Sequence, residues 1–411
     1  MAKTGIELYE ERKKRVLDAI ALKQPDKVPI MLGSSFLAAK YAGITYQEAM
    51  SDQEKWLEAN KKFIQEFDTD FYKPASVPFL FPSPMLETLG SKHYKWPGHG
   101  VGPNVTYQYV EMENMKQDEY DHFLDDPTDF LIRVYLPRVF EKLEGFRLLP
   151  SLKILSLSEI GFFGNPEIAS SLQSLLEGAR IAFEWTKNYM KYNEESKQAG
   201  LYNPVCGMSM APFDVIGDFL RGTRGVMMDM YKCPDKLLAA IDKVTPLCIE
   251  MATRKVDPER PLVYIPLHKG SDGFMSLKQF EEFYWPSLKK VLLATIDAGL
   301  IPCTFYEGSY DERLKYLAEL PKGKTVGYFD RTDLFKAKEV IGDRMCIMGG
   351  MPVSILQTGT PELVKEYSKK LIDVVGKNGG FIMACSSVLD ETRIELLKVW
   401  VDFTREYGTY R

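Results

Sequence analysis

The sequence has few of the residues from which most recognisable sites are built. Its 411 residues include six cysteines and four histidines. The cysteines stand at 206, 233, 248, 303, 346 and 385, and none forms a C-x-x-C pair. That spacing excludes a local redox motif or zinc knuckle and fits reduced, buried thiols. There is no unbroken apolar run of about 18 residues to span a bilayer. The opening segment, MAKTGIELYEERKKRVLDAI, is charged and amphipathic and has no apolar signal-peptide core, so a cytoplasmic location is expected. Cationic excess is also missing. With a formal charge of −5 the chain has neither the electrostatic footprint of a nucleic-acid binder nor the polybasic cluster that holds a protein on a membrane. No G-x-S-x-G elbow, Walker loop, H-E-x-x-H helix or kinase set occurs.

What the chain does have is a rhythm. From about residue 200, short apolar runs end in small or polar residues and are followed by helical patterns. The runs are PVCGMSM (204–210), PLVYIPL (261–267), LIPCTFY (300–306), TVGYFD (325–330), MCIMGG (345–350) and GGFIMACS (379–386). Continuous apolar runs of this length suit parallel strands covered on both faces. Between them, SLKQFEEFYWPSLKKVLLATIDAG (276–299) reads as a helix opened by Ser276 and closed at Gly299. A second helix opens at Thr360–Pro361. VPIMLG (28–33) and LKILSLS (152–158) bring the strands to eight. Eight alternating units predict a single α/β domain over 1–411, a (β/α)₈ TIM barrel with an N-terminal extension. An open doubly wound sheet is the runner-up, but LGSSFLAAK after the first strand is not its glycine fingerprint. The stretch 73–128, rich in proline, reads as a long insertion over one face, with a strand at NVTYQYVEME (104–113).

In such a barrel, chemistry collects at the C-terminal ends of the strands. There the sequence places His268, Glu307, Asp330 and Cys385. A histidine directly after an apolar strand suits ligand or base work, or a hydrogen bond to a loop carbonyl. Glu307 needs a partner, either Arg313 or a metal, because an unpaired buried charge is costly. His268, Glu307 and Cys385 together form an acceptable zinc ligand set with an open fourth position. Elsewhere Asp68 and Asp70 read as a turn cap or acidic pair, Asp218 and Arg221 as a local surface pair, and Met227, Met228 and Met230 as core packing.

Several segments resemble the uroporphyrinogen decarboxylase superfamily: RVLDAIALKQPDKVPI (15–30), EFDTDF (66–71), RGTRGVMMDMYKCPDKL (221–237), DGFMSLKQFEEFYWPSLKKV (272–291) and MGGMPVSILQTGTPELVKE (348–366). They span nearly the whole chain in order, and the superfamily has a (β/α)₈ barrel. One branch decarboxylates uroporphyrinogen III and holds its carboxylates on an arginine-rich N-terminal run. Here MLGSSFLAAKYAG (31–43) has no arginine, which leaves those carboxylates without a cationic cradle. The other branch comprises zinc- and corrinoid-dependent methyltransferases, whose His-x-Cys-Gly zinc motif is replaced here by Phe305-Tyr306-Glu307-Gly308.

The resemblance therefore implies a methyltransferase component of a demethylation system. It would move a methyl group from a small methoxylated substrate, a phenyl methyl ether among the candidates, to the Co(I) corrinoid of a partner protein. Tyr306, Tyr264, Asp272 and Glu307 are the candidate catalytic groups for a poor leaving group, and His268, Glu307 and Cys385 the zinc ligands. A porphyrinogen decarboxylase-like lyase and a non-catalytic tetrapyrrole- or corrinoid-binding barrel are the alternatives. A homodimer is one expected state, with no interface readable.

Overall fold

A computed structural model describes residues 3–33, 35–73, 81–151 and 157–410. The strands are β1 (Met31–Gly33), β2 (Phe71–Lys73), β3 (Tyr94–Pro97), β4 (Gly100–Val101), β5 (Gln108–Tyr109), β6 (Val205–Met208), β7 (Leu262–Leu267), β8 (Ile301–Tyr306), β9 (Val326–Phe329), β10 (Cys346–Met351) and β11 (Phe381–Cys385). Six of them form a parallel sheet in the order β11-β10-β9-β8-β7-β6. β1 and β2 pair in parallel, and a parallel bridge from Ile30 to Met383 attaches them beside β11. Between β2 and β6 the described residues show one backbone contact, from the Tyr72 N–H to the Tyr202 carbonyl at 3.4 Å, and no ladder. The architecture is thus α/β, built on a parallel sheet.

Alternation along each strand sets the two layers. On β7 to β11, Leu262, Cys303, Val326, Tyr328, Met348 and Ile382 join an inner cluster. Their neighbours Val263, Ile265, Tyr306, Phe329, Ile347 and Met383 belong to an outer core under the helices. The period of two in parallel strands buried on both faces produces this split. It also decides which strand-end residues can meet, since residues of opposite parity face opposite layers.

The expected strand ends hold from β6 to β11, but the N-terminal half differs. Of the strand expected at 152–158, residues 152–156 lie outside the described residues and Leu157–Gly164 is a 3₁₀ turn. The strand beside β1 is β2 instead. Asp70, just before it, accepts the Ile30 N–H at 2.9 Å and pairs with buried Arg15. Asp68 pairs with Arg12. These acids therefore fasten the helix Gly5–Ile20 to the N-terminal end of the sheet, away from the strand ends where chemistry collects. Of the strand expected at 104–113, only Gln108–Tyr109 forms, antiparallel to β3. The helix opened by Ser276 has its expected capping box with Gln279, then a π-helical turn at Phe280–Tyr284 before it continues to Asp297. Met230 is buried, but Met227 and Met228 are exposed, so core packing explains one of the three. Among the described residues, no helix is long and apolar enough to cross a membrane.

Candidate active site at the strand ends

The polypeptide after β6 turns into a π-helical segment, Val215–Leu220, that carries Asp218 and follows directly on Asp214. A π-helical turn brings residues four apart close to one face. Here both carboxylates reach the end of β7. Asp214, fully buried, accepts the backbone N–H groups of His268 (2.9 Å) and Lys269 (3.1 Å) and the Tyr284 hydroxyl (2.8 Å). Burial, with the Asp218 charge nearby, raises its carboxyl to about 6. Asp218 hydrogen-bonds the His268 ring at Nδ1 (2.6 Å) and pairs with Lys269 Nζ at 2.8 Å. Gly217 leaves room for that lysine, because a Cβ there would sit 2.6 Å from Lys269 Cε.

On its other side His268 Nε2 lies 3.9 Å from Glu307 Oε2. Burial opposes the imidazolium, but the Asp218 hydrogen bond and the charges of Asp214, Asp218 and Glu307 outweigh it and raise His268 to about 9. Glu307 is raised above the ordinary carboxylate range, mainly by burial, with the Asp330 and Asp218 charges adding to it and His268 opposing it. Asp218 is held low by His268 and Lys269 despite its burial. The result is a relay, Asp218–His268–Glu307, that is charged and still proton-bearing at neutral pH.

A cleft and an aromatic cluster flank this relay. Glu307 forms one wall of a cleft of about 870 Å³ that runs over the ends of β9, β10 and β11, past Asp330, Arg331, Gly350 and Ser386. On the inner face, Tyr264 and Phe305 are only partly buried although they stand on central strands, and their rings stack with centroids 6.4 Å apart. The insertion adds Tyr94 and Tyr107, themselves in edge contact at 6.0 Å, and Tyr109 donates to the Asp218 carbonyl at 2.6 Å. Burial raises the Tyr264 hydroxyl well above its ordinary range, with the Glu307 charge adding to it.

The sequence-derived candidates separate here. His268 and Glu307 come together, with Tyr264 below them on the same face. Cys385 does not join them. It packs in the outer core, and burial pushes its thiol well up, away from the thiolate a metal needs. Among the described residues, no group of three or more His, Cys, Asp or Glu side chains is arranged to hold a metal ion. The proposed zinc set therefore does not fit, and a protonated His268 tied to Asp218 is itself a poor ligand. Tyr306 also faces the outer core, stacked on Phe329 at 4.9 Å, and so leaves the catalytic set. Asp272 pairs with buried Arg313 and accepts from the Ser309 hydroxyl at 2.9 Å, a loop brace rather than a reacting group. Arg313 is thus not the partner of Glu307. Arg221 likewise turns away from Asp218 and binds Asp229 (2.5 Å) and Glu113 (2.5 Å).

Reading the sequence missed Asp214 and Lys269 and misassigned Asp218. The signal available was the D-x-x-x-D spacing directly after a strand, with a glycine just before the second acid.

Residues 193–407 match the family described as uroporphyrinogen decarboxylase (URO-D). The chain is 22% identical over 205 residues to the uroporphyrinogen decarboxylase of Syntrophotalea carbinolica, covering 48% of this chain and 58% of that protein. It is also 22% identical over 273 residues to the enzyme of the same name from Chlorobaculum tepidum, covering 64% and 72%. Among solved structures, a methyltransferase from Methanosarcina mazei superposes with a TM-score of 0.63 at 18% identity, over 96% of this chain and 98% of that one. At that identity the superposition speaks for a shared fold. With more than half of its length matched, the chain belongs to the uroporphyrinogen decarboxylase family.

Proposed function

We propose that this protein is the methyltransferase component of a corrinoid-dependent demethylation system, acting on a small methoxylated substrate with an aromatic ring. This reading takes the chain as one domain whose eight parallel strands close into a barrel. The observation that carries it is His268, held as an acid between Asp218 and Glu307 beside the stacked rings of Tyr264 and Phe305.

Removing methyl from an aryl ether requires a nucleophile at carbon and a proton for the departing oxygen. The Co(I) corrinoid of a partner protein supplies the nucleophile. This chain supplies position and proton. Tyr264, Phe305 and Tyr107 stack against the ring and exclude water. The C–O bond to the methyl group breaks, its electrons stay on oxygen, and the His268 imidazolium gives that oxygen its proton. Asp218 fixes the ring orientation and holds the positive charge until then, and Glu307 passes the next proton to His268 from the open cleft. Protonating a phenoxide-like leaving group in this way is worth about 10²- to 10⁴-fold in rate.

The test is demethylation of a methoxylated benzene with a separately reduced corrinoid protein. Wild type should convert ether to phenol one methyl at a time, and His268→Ala should lose about 10²-fold or more. Turnover of a porphyrinogen without corrinoid would replace this reading with the lyase. Unchanged methyl transfer in His268→Ala would remove the acid role.

A further inference from the structure

On the strength of the relay proposed above, we infer that Asn114, held by His93, is a positioning residue for Asp218, which makes the insertion part of the catalytic scaffold. The π-helical segment Val215–Leu220 carries Asp218 and ends where Gly222, with a φ of 68°, turns the chain into the next helix. The last carbonyls of a helix need donors from outside it. Here three in a row receive them from the insertion. The Tyr109 hydroxyl donates to the Asp218 carbonyl at 2.6 Å, and the Asn114 side chain donates to the Phe219 carbonyl at 2.8 Å. The N–H groups of Asn114 and Met115 donate to the Leu220 carbonyl at 2.8 and 2.7 Å.

Asn114 is the centre of this clasp. It is fully buried, and its own carbonyl accepts from Arg138 at 2.7 Å. The Phe219 carbonyl can only accept, so the amide atom facing it is Nδ2. The same Nδ2 lies 2.8 Å from Nε2 of buried His93. An amide nitrogen does not accept, so His93 is the acceptor, neutral and with its proton on Nδ1. Burial holds the ring below its ordinary range, which favours that form. Both Nδ2 hydrogens are thus spent, while the buried Asn114 Oδ1 has no partner. That arrangement costs stability at the oxygen and keeps Nδ2 on the residue next to Asp218. The clasp reaches the relay through one peptide, since Phe219 directly follows the residue whose carboxylate stands 2.6 Å from His268 Nδ1. Without Nδ2 the Phe219 carbonyl turns toward water, and the end of the segment shifts with it.

Steady-state methyl transfer and proton NMR of the four histidine rings test it in the full chain. Asn114→Ala should lower kcat at least about tenfold with KM within about twofold, and should lower the His268 titration midpoint by at least about one unit. His93→Leu should act in the same direction. His93→Gln, whose amide oxygen still accepts from Nδ2, should restore the wild-type values. In an Asp218→Asn background, Asn114→Ala should change neither reading further, because both variants act on one contact. The NMR titration needs no turnover, so a chain that transfers no methyl group still reports on Asn114. If Asn114→Ala does not fold, the His93 pair decides by the same readings. An unmoved His268 midpoint, losses that add to those of Asp218→Asn, or a His93→Gln variant no better than His93→Leu would each overturn the assignment.

Discussion

His268 keeps its proton where a free histidine would lose it. Its ring is raised from 6.5 to about 9 because Asp218 and the neighbouring carboxylates outweigh burial. The sign of the linkage follows. The contribution to stability is fully present below about pH 6.5 and is lost as pH rises through about 9. Thermal melts of wild type and Asp218→Asn should therefore converge between those limits, with wild type the more stable at the acid end. Activity that needs the imidazolium should fall about tenfold per pH unit above 9. Gly217 tests the other arm of Asp218. Gly217→Ala puts a methyl group 2.6 Å from Lys269 Cε, so the lysine must leave the carboxylate, and turnover should drop about tenfold or more while the melting temperature moves by only a few degrees. Cys385 is the counter-test. It is a buried small hydrophobe in the outer core, so Cys385→Ala should cost about 1 kcal/mol of stability and leave methyl transfer within twofold. At this scale the sequence named two of the three relay members. It misassigned Asp218 to Arg221, three residues away, because its true partner stands at a strand end fifty residues on.

Two π-helical turns shape the site, at Val215–Leu220 and at Phe280–Tyr284, and they touch through the bond from the Tyr284 hydroxyl to Asp214. An inserted residue shifts the face that a 3.6-residue period predicts, and for this reason helical patterning located the helices but not their inward carboxylates. Asp214→Ala leaves three buried donors without their acceptor. The expected cost is at least about 2 kcal/mol in chemical denaturation, with a larger loss of activity than stability alone explains. Strand periodicity was far more legible. Six apolar runs predicted β6 to β11 because parallel strands covered on both faces need unbroken apolar sequence. β1 and β2 have three residues each and leave much weaker patterns. The insertion is anchored at Glu111, which accepts the Thr223 N–H at 2.8 Å and lies 3.9 Å from Lys269. Glu111→Ala should raise KM more than it lowers kcat, and speed hydrogen exchange at residues 108–111.

For the whole molecule, the parallel α/β architecture was readable from alternation, while the bridge that sets β1 and β2 beside β11 joins segments far apart in sequence. Parity was the information that residue lists lacked. His268 and Glu307 stand on one face of the sheet, and Cys385 stands on the other, so a ligand set that looked sound by residue type has no common point in space. The same sheet that separates them gathers Asp218, His268 and Glu307 beside an open cleft, with Tyr264 and Phe305 on the inner face. The most direct measurement of the central claim is the pH dependence of methyl transfer to a reduced corrinoid protein in wild type and Asp218→Asn. The account predicts a basic limb near pH 9 in wild type that moves at least about one unit toward neutrality in the variant. Identical profiles, or a rate that rises as His268 loses its proton, would contradict it.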